Sequence, residues 1–311
     1  MSDSFELVIL FMSLTAIALL AGETERNSGR SVAMAGLLII GIAFFAGLAL
    51  VSRPIIGTEL ASHMALLALL IAAPLIDRTR TISLLVAAPA LALALFHYAV
   101  PYITEQWHMN YNYVMMLISA SIIGLFGSAM LPVHRPREYH IHQALIGRAA
   151  LAMTLGLILW GDGFFVKSAL LCAWIAGAIA YFKGMSQPLR YVGMGLVAGT
   201  ILAQTKDMPT AQMVLAACAG AYFTFAGEKT SKALVIDDPH NITGMVLMPA
   251  LFGVLLTGLS NHMLAESLQW LGVAVAVGII ASLGWLIVKF TLGLSAPQRL
   301  LREGLDATLA P

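Results

Sequence analysis

The chain is a succession of apolar runs, most close to the length of a membrane-crossing helix, separated by short turns that hold nearly all of its charge. In hydrocarbon every backbone N–H and C=O must bond within its own segment or to a closed ring of strands, so apolar runs of this length form helices. Composition agrees, with 59% hydrophobic and 11% charged residues and a mean hydropathy of +0.87. A water-soluble domain carries about 25% charged residues. At about 20 residues per span plus a turn, the 311 residues leave no room for a separate aqueous domain. We therefore expect an all-α polytopic membrane protein.

Spans are expected near 5–21, 31–51, 60–76, 82–100, 113–133, 145–160, 164–182, 189–203, 209–226, 242–259 and 267–294, eleven in all. Charge fixes their direction. Arg26, Arg30, Arg78, Arg80, Arg135, Arg137, Lys183, Arg190, Lys229, Lys232, Arg299 and Arg302 fall on one side, against Arg53, Lys167 and Lys206 on the other. The excess of Lys and Arg marks the cytoplasmic side, which puts the N-terminus outside and the C-terminus inside. No Lys or Arg precedes the first apolar run and no small-residue cleavage site follows it, so no removable signal peptide is expected. No Gly/Ser-rich linker divides the chain. We expect one transmembrane domain over 1–294 and a short cytoplasmic tail over 295–311. Leu125-Phe126-Gly127 is echoed by Leu251-Phe252-Gly253 at the spacing of a five-plus-five repeat, and an odd number of spans per repeat inverts the second copy.

Chemistry-bearing residues are sparse. Asp237, Asp238 and Pro239 precede the tenth span, where Asp suits a helix cap and Pro the first turn. Gly22, Gly47, Gly124, Gly127, Gly195, Gly199, Gly220 and Gly253 lie in or at the ends of spans, where small residues let helices approach closely. Arg148 stands one turn inside the sixth span and is expected to snorkel to the interface. His63 and His97 are intramembrane candidates, and His97 is a conceivable axial ligand for a haem or pigment. His134, His140 and His142 crowd one turn, VHRPREYHIHQ, without Cys or Asp at ligand spacing, so no metal is expected. Cys172 and Cys218 lie in apolar runs and read as small core residues. No P-loop, nucleophile elbow, HExxH or pair of intramembrane carboxylates is present, nor a basic cluster that could track phosphates. Neither an enzyme, a bound cofactor nor a nucleic-acid partner is expected.

Four stretches together resemble the ammonium transporter (Amt/Rh) family over nearly the whole chain. IDDPHNITGMVLMPALFGVLLTGL at 236–259 is similar to that family's Asp-Asp turn and tenth span, and LREGLDATL at 301–309 to its cytoplasmic tail. PLIDR at 74–78 resembles the end of its third span, and IIGLFG at 122–127 its fifth. The resemblance implies eleven spans, an outside N-terminus, an inverted repeat and a homotrimer, as well as the roles of certain residues. Trp107 resembles the aromatic that recruits ammonium at the outer mouth, while Phe164 and Ser168 resemble the gate Phe and the Ser that hydrogen-bonds the cation. The second gate Phe is matched by His63, and the paired pore histidines are matched by Leu117 and Val246. The family's buried Asp in the fifth span has no counterpart in HMNYNYVMML, which offers Asn110 and Asn112. Lys167 replaces a small residue beside the recruitment Ser. A cation over an aromatic gains about 0.5–2 kcal/mol, whereas a second cation about 4 Å away costs about 1 kcal/mol in water and about 4 at an effective dielectric of 20. The chain ends at Pro311 before the family's His-Gly-Glu segment, so regulation by a PII-type protein is not expected.

Turn, packing and tail signatures are thus kept while the proton-handling centre is missing. The resulting expectation is an Amt-fold protein of a bacterial inner membrane that does not conduct ammonium and serves as an accessory subunit, in contact with lipid and with other membrane subunits. The alternatives are a channel for ammonia or another small uncharged solute, through an apolar constriction, and a cofactor-binding membrane enzyme.

Overall fold

The computed structural model describes residues 66–75, 78–103, 109–131, 141–159, 165–203 and 210–295, together with Ala16. Apart from Ala16, the expected first and second spans lie outside the described residues. Those described form α1 (Leu66–Leu75, its last turn a 3-10 turn), α2 (Thr81–Ile103), α3 (Met109–Ala129), α4 (Ile141–Leu159), α5 (Phe165–Phe182) and α6 (Pro188–Leu202), followed by α7 (Thr210–Ala233), α8 (Thr243–Ser260), α9 (Leu264–Ser282) and α10 (Gly284–Thr291). No strand occurs among the described residues; the sole β pairing there is the isolated bridge between Thr79 and Ser295. Three described segments, α7, α8 and the run α9–α10, are long and apolar enough to cross a membrane.

Two departures from the expected boundaries have physical causes. α7 runs on to Ala233, so Lys229 and Lys232 stand in its last turns instead of beyond its end. That extension lies past the apolar run, and Glu228 holds it by pairing with Arg190 of α6 at 3.1 Å. The expected eleventh span breaks at Leu283 into α9 and α10. At the break Trp285 is fully buried and its indole Nε1 donates to the Ile123 carbonyl of α3 at 2.9 Å.

Packing sorts the helices into two groups. α3 touches α1, α2, α8 and α9, and α6 touches α4, α5, α7 and α8, so α8 packs against both groups, which also meet where α3 touches α4. Small residues set the distances. A Cβ on Gly124 would lie 2.7 Å from the Leu70 carbonyl oxygen, and one on Gly127 would meet the Trp285 ring. Gly195 and Gly199, one turn apart on α6, press against Ala173, Ala169 and Ser168 of α5. This is the close approach that a small-x-x-x-small pair permits.

Three helices close with the same C-terminal geometry. The residue after the helix takes φ near +60°, the next amide bonds five residues back, and the preceding one bonds three back, which satisfies two free carbonyls. Gly184 (φ +65), Val235 (φ 58) and His262 (φ 57) hold this position, with Met185 N–H to Ala180 at 3.0 Å, Ile236 N–H to Ser231 at 2.9 Å and Met263 N–H to Gly258 at 2.8 Å. Glycine takes that backbone freely, but a β-branched valine does not.

Large apolar side chains also cover the outside. Ile82 and Val86 of α2, Ile146 and Met153 of α4, Leu170 and Trp174 of α5, Leu215 and Tyr222 of α7, and Ile279, Ile287 and Phe290 of α9 and α10 are all exposed. So many large exposed apolar side chains are unusual on a water-soluble monomer.

Candidate functional site

α8 does not begin as an ordinary α-helix. Its first turn, Thr243–Leu247, is a π turn, a wider coil that is uncommon and frequent at functional positions. Two side chains fix it. Asp238 accepts from the Ile242 amide through Oδ1 and from the Thr243 amide through Oδ2, both at 2.8 Å. Asn241, itself at φ 57, accepts from the Gly244 amide at 3.1 Å and donates through Nδ2 to the Thr224 carbonyl of α7 at 2.5 Å. The close packing of Gly244 on Gly227 of α7 leaves no room for a Cβ on either residue.

Of the two aspartates expected as caps, Asp238 holds the helix start and Asp237 has a different task. The Asp237 carboxylate lies 3.6 Å from Nε of Arg78, and its carbonyl accepts from Arg78 Nη2 at 3.0 Å and from the Ser128 hydroxyl at 2.6 Å. Arg78, 1% exposed, also donates to the Ser128 hydroxyl at 2.6 Å and the Pro74 carbonyl at 2.7 Å. Pro239 stays in the turn, and its carbonyl accepts from Arg190 Nη2 at 2.8 Å. The turn before α8 is therefore clamped to the end of α1, the end of α3 and the start of α6.

The π turn carries Val246, and α3, which packs against it, carries Leu117. Both side chains are 0% exposed and belong to the same apolar core, beside Met245, Ile118 and Val114. Of the eight histidines in the chain, His240 and His262 have described side chains, one in the clamped turn and one at the helix end after α8. Among the described residues no group of three His, Cys, Asp or Glu could hold a metal ion.

The expected outer-mouth residues are placed in part. Ser168, near the start of α5, is buried, and its hydroxyl donates to the Gly199 carbonyl of α6 at 2.9 Å. Lys167 beside it is exposed. His63, Trp107 and Phe164 lie outside the described residues, as do the side chains of His97, Asn110, Asn112, His134, His140 and His142. Cys172 packs against Gly199 and Gly220, whereas Cys218 is exposed. Arg148 departs from expectation: it is fully buried, with its aliphatic stem against Gly193 of α6, and does not snorkel.

The Arg78–Ser128–Asp237 clamp escapes sequence reasoning because its members are far apart along the chain; Arg78 reads there only as a topology marker. A signal exists in the two stretches PLIDR and IDDP, whose Arg and Asp are complementary.

The fold is that of the ammonium transporter and Rhesus proteins. Nitrosomonas europaea Rh50, described as belonging to the Rhesus protein family of channels, matches with a TM-score of 0.71 at 14% identity over 98% of this chain and 96% of that one. A sensor Amt protein matches with a TM-score of 0.71 at 13% identity over 99% and 98% of the two chains. Saccharomyces cerevisiae Mep2 matches with a TM-score of 0.70 at 13% identity over 95% of this chain and 86% of that one. No protein-family model matches the chain.

Proposed function

We propose that the protein is an integral membrane protein of the Amt fold whose central pathway is closed to ammonium, and that it serves as a non-conducting accessory subunit of a larger membrane assembly. The observation that carries the reading is the burial of Leu117 and Val246 in one continuous apolar core. An ammonium ion there would meet side chains that neither accept its hydrogen bonds nor take its proton, and burying an unpaired cation is costly. The exposed apolar surface and the three long apolar segments support a bilayer setting. Eleven spans and an outside N-terminus, from the charge pattern, together with a transmembrane domain over 1–294, a cytoplasmic tail over 295–311 and a bacterial inner membrane, complete the proposal. Its partners are lipid and other membrane subunits or further copies of this chain as a homotrimer, with no PII-type regulator.

One observation favours a second reading, a channel for ammonia or another small uncharged solute. A π turn sits at the junction of the two helix groups and carries Val246, and a structural neighbour is described by conduction in a family of channels. An apolar constriction passes small neutral molecules while excluding ions. Stopped-flow measurement on liposomes holding the purified protein separates the two readings. No ammonia or methylamine flux above empty liposomes supports the subunit; flux supports the channel.

A further inference from the structure

We infer that Asn241, Ser231 and Thr243 are positioning residues that latch the π turn of α8 onto α7, and that this latch keeps Val246 in the closed core. The inference rests on the closed-pathway reading proposed above. A π turn closes its hydrogen bond over one residue more than an α turn, and here the Met248 amide bonds to the Thr243 carbonyl five residues back. Side chains take most of the amides ahead of it. Those of Ile242 and Thr243 go to Asp238 and that of Gly244 to Asn241. Of these and the next, the Met245 amide alone bonds to a main-chain carbonyl, that of Asn241 at 2.8 Å. The width of the turn is therefore imposed from outside the coil.

α7 imposes it along one face. Phe223, Gly227 and Ser231 lie four residues apart on α7 and so stack on one side of the helix. Gly244 packs on the Phe223 carbonyl and on Gly227, where neither glycine could carry a Cβ. The Ser231 hydroxyl donates to that of Thr243 at 2.9 Å, and Asn241 donates through Nδ2 to the Thr224 carbonyl at 2.5 Å. α7 is braced at the same level, since Glu228 accepts from Arg190 at 3.1 Å and from Tyr191 at 3.0 Å, both on α6. Val246 joins Leu117 in the apolar core, where burial attracts it without fixing a direction. The polar bonds to α7 supply the direction. Freed from them, the turn relaxes to the α form, which takes one residue fewer and swings the side chains ahead of Met248 by up to about 100°, the angle between successive residues of a helix. Val246 then leaves the core and admits water to it.

Thiol accessibility tests this, with methyl methanethiosulfonate as the probe and the full chain in detergent carrying Cys172→Ala/Cys218→Ser. Val246→Cys is expected to react slowly in that background and at least tenfold faster once Asn241→Gly is added. Glycine keeps the backbone at φ 57 but loses the bonds to Gly244 and Thr224, each worth about fivefold. Thr243→Val should speed the reaction about fivefold, whereas Thr243→Ser, which keeps the hydroxyl, should leave it slow. Val254→Cys, about two turns further along α8 and equally buried, should stay slow throughout, which a general loosening of the helix would not allow. A Val246→Cys rate that neither Asn241→Gly nor Thr243→Val changes would overturn the inference, as would equal acceleration of Val254→Cys, or Thr243→Ser acting as strongly as Thr243→Val. The starting rate keeps the two failures apart. Slow reaction in every variant refutes the latch alone, whereas a Val246→Cys that reacts at once as fast as the exposed Cys218 of the unsubstituted chain refutes the closed pathway as well.

Discussion

Replacing Arg78 by Ala should unlatch the turn that starts α8. The guanidinium is buried and donates through Nη2 to three oxygens, from Pro74, Ser128 and Asp237, with Nε facing the Asp237 carboxylate at 3.6 Å. Truncation leaves the Ser128 hydroxyl its bond to the Asp237 carbonyl at 2.6 Å, but removes the guanidinium beside a carboxylate that is only 14% exposed. Removing one partner of a buried pair costs about 3–5 kcal/mol, which for a chain of this size lowers the melting temperature on the order of 10 °C. Asp237→Asn should be milder, about 1–2 kcal/mol, since the carbonyl acceptor survives and Arg78 keeps its neutral partners. Arg80→Ala supplies the control. Arg80 is exposed and reaches the Ser295 and Leu292 carbonyls at 3.3 Å each, so less than about 1 kcal/mol should be lost. Thermal unfolding in detergent, followed by tryptophan fluorescence, should rank the losses Arg78→Ala, then Asp237→Asn, then Arg80→Ala. A loss for Arg78→Ala no greater than for Arg80→Ala would refute the reasoning that the clamp holds α8.

Three further substitutions test the packing and the helix ends. Gly199→Ala places a Cβ 2.6 Å from the Ser168 carbonyl and 2.8 Å from the Ala169 Cα, so α5 and α6 must separate; a loss of about 1–3 kcal/mol is expected in the same melt. Gly272→Ala, which meets nothing within 4 Å, should leave stability unchanged or raise it by up to about 1 kcal/mol. Val235→Asn puts a residue tolerant of positive φ where valine holds φ 58 with its side chain 71% exposed, and should stabilise the protein by about 0.5–1 kcal/mol; a lower melting temperature would mean that the valine side chain makes a contact worth more than the strain.

The sequence is legible where one local force decides the outcome. Apolar runs between charged turns locate α2 to α6 and α8 within a few residues, because each run is long enough to form a helix on its own account, whereas the end of α7 and the break after α9 are missed. Gly124, Gly127, Gly195 and Gly199 read correctly as contact points, since a Cβ on any of them would come within 2.8 Å of a neighbouring helix. What stays hidden depends on pairs distant along the chain. Arg78 meets Asp237 across 159 residues, and Ser168 is committed to Gly199 by the approach of α5 to α6, which nothing in GFFVKS announces. The end of α7 hides for a different reason. Gly184 signals a helix stop, but Val235 and His262 adopt the same turn without glycine, so only the chain's path imposes it. Arg148 misleads because its position near a helix end suggests an exit to water, whereas the space left by Gly193 holds its stem inside.

The central claim is that Leu117 and Val246 close the pathway to ammonium. Its most direct test is ammonia and methylamine flux by stopped flow in liposomes, comparing the wild type with Leu117→His/Val246→His. The account predicts wild-type flux equal to empty liposomes and a measurable gain in the histidine variant. Wild-type flux that persists at the level of the variant would contradict it, and would make the apolar core a working conduit.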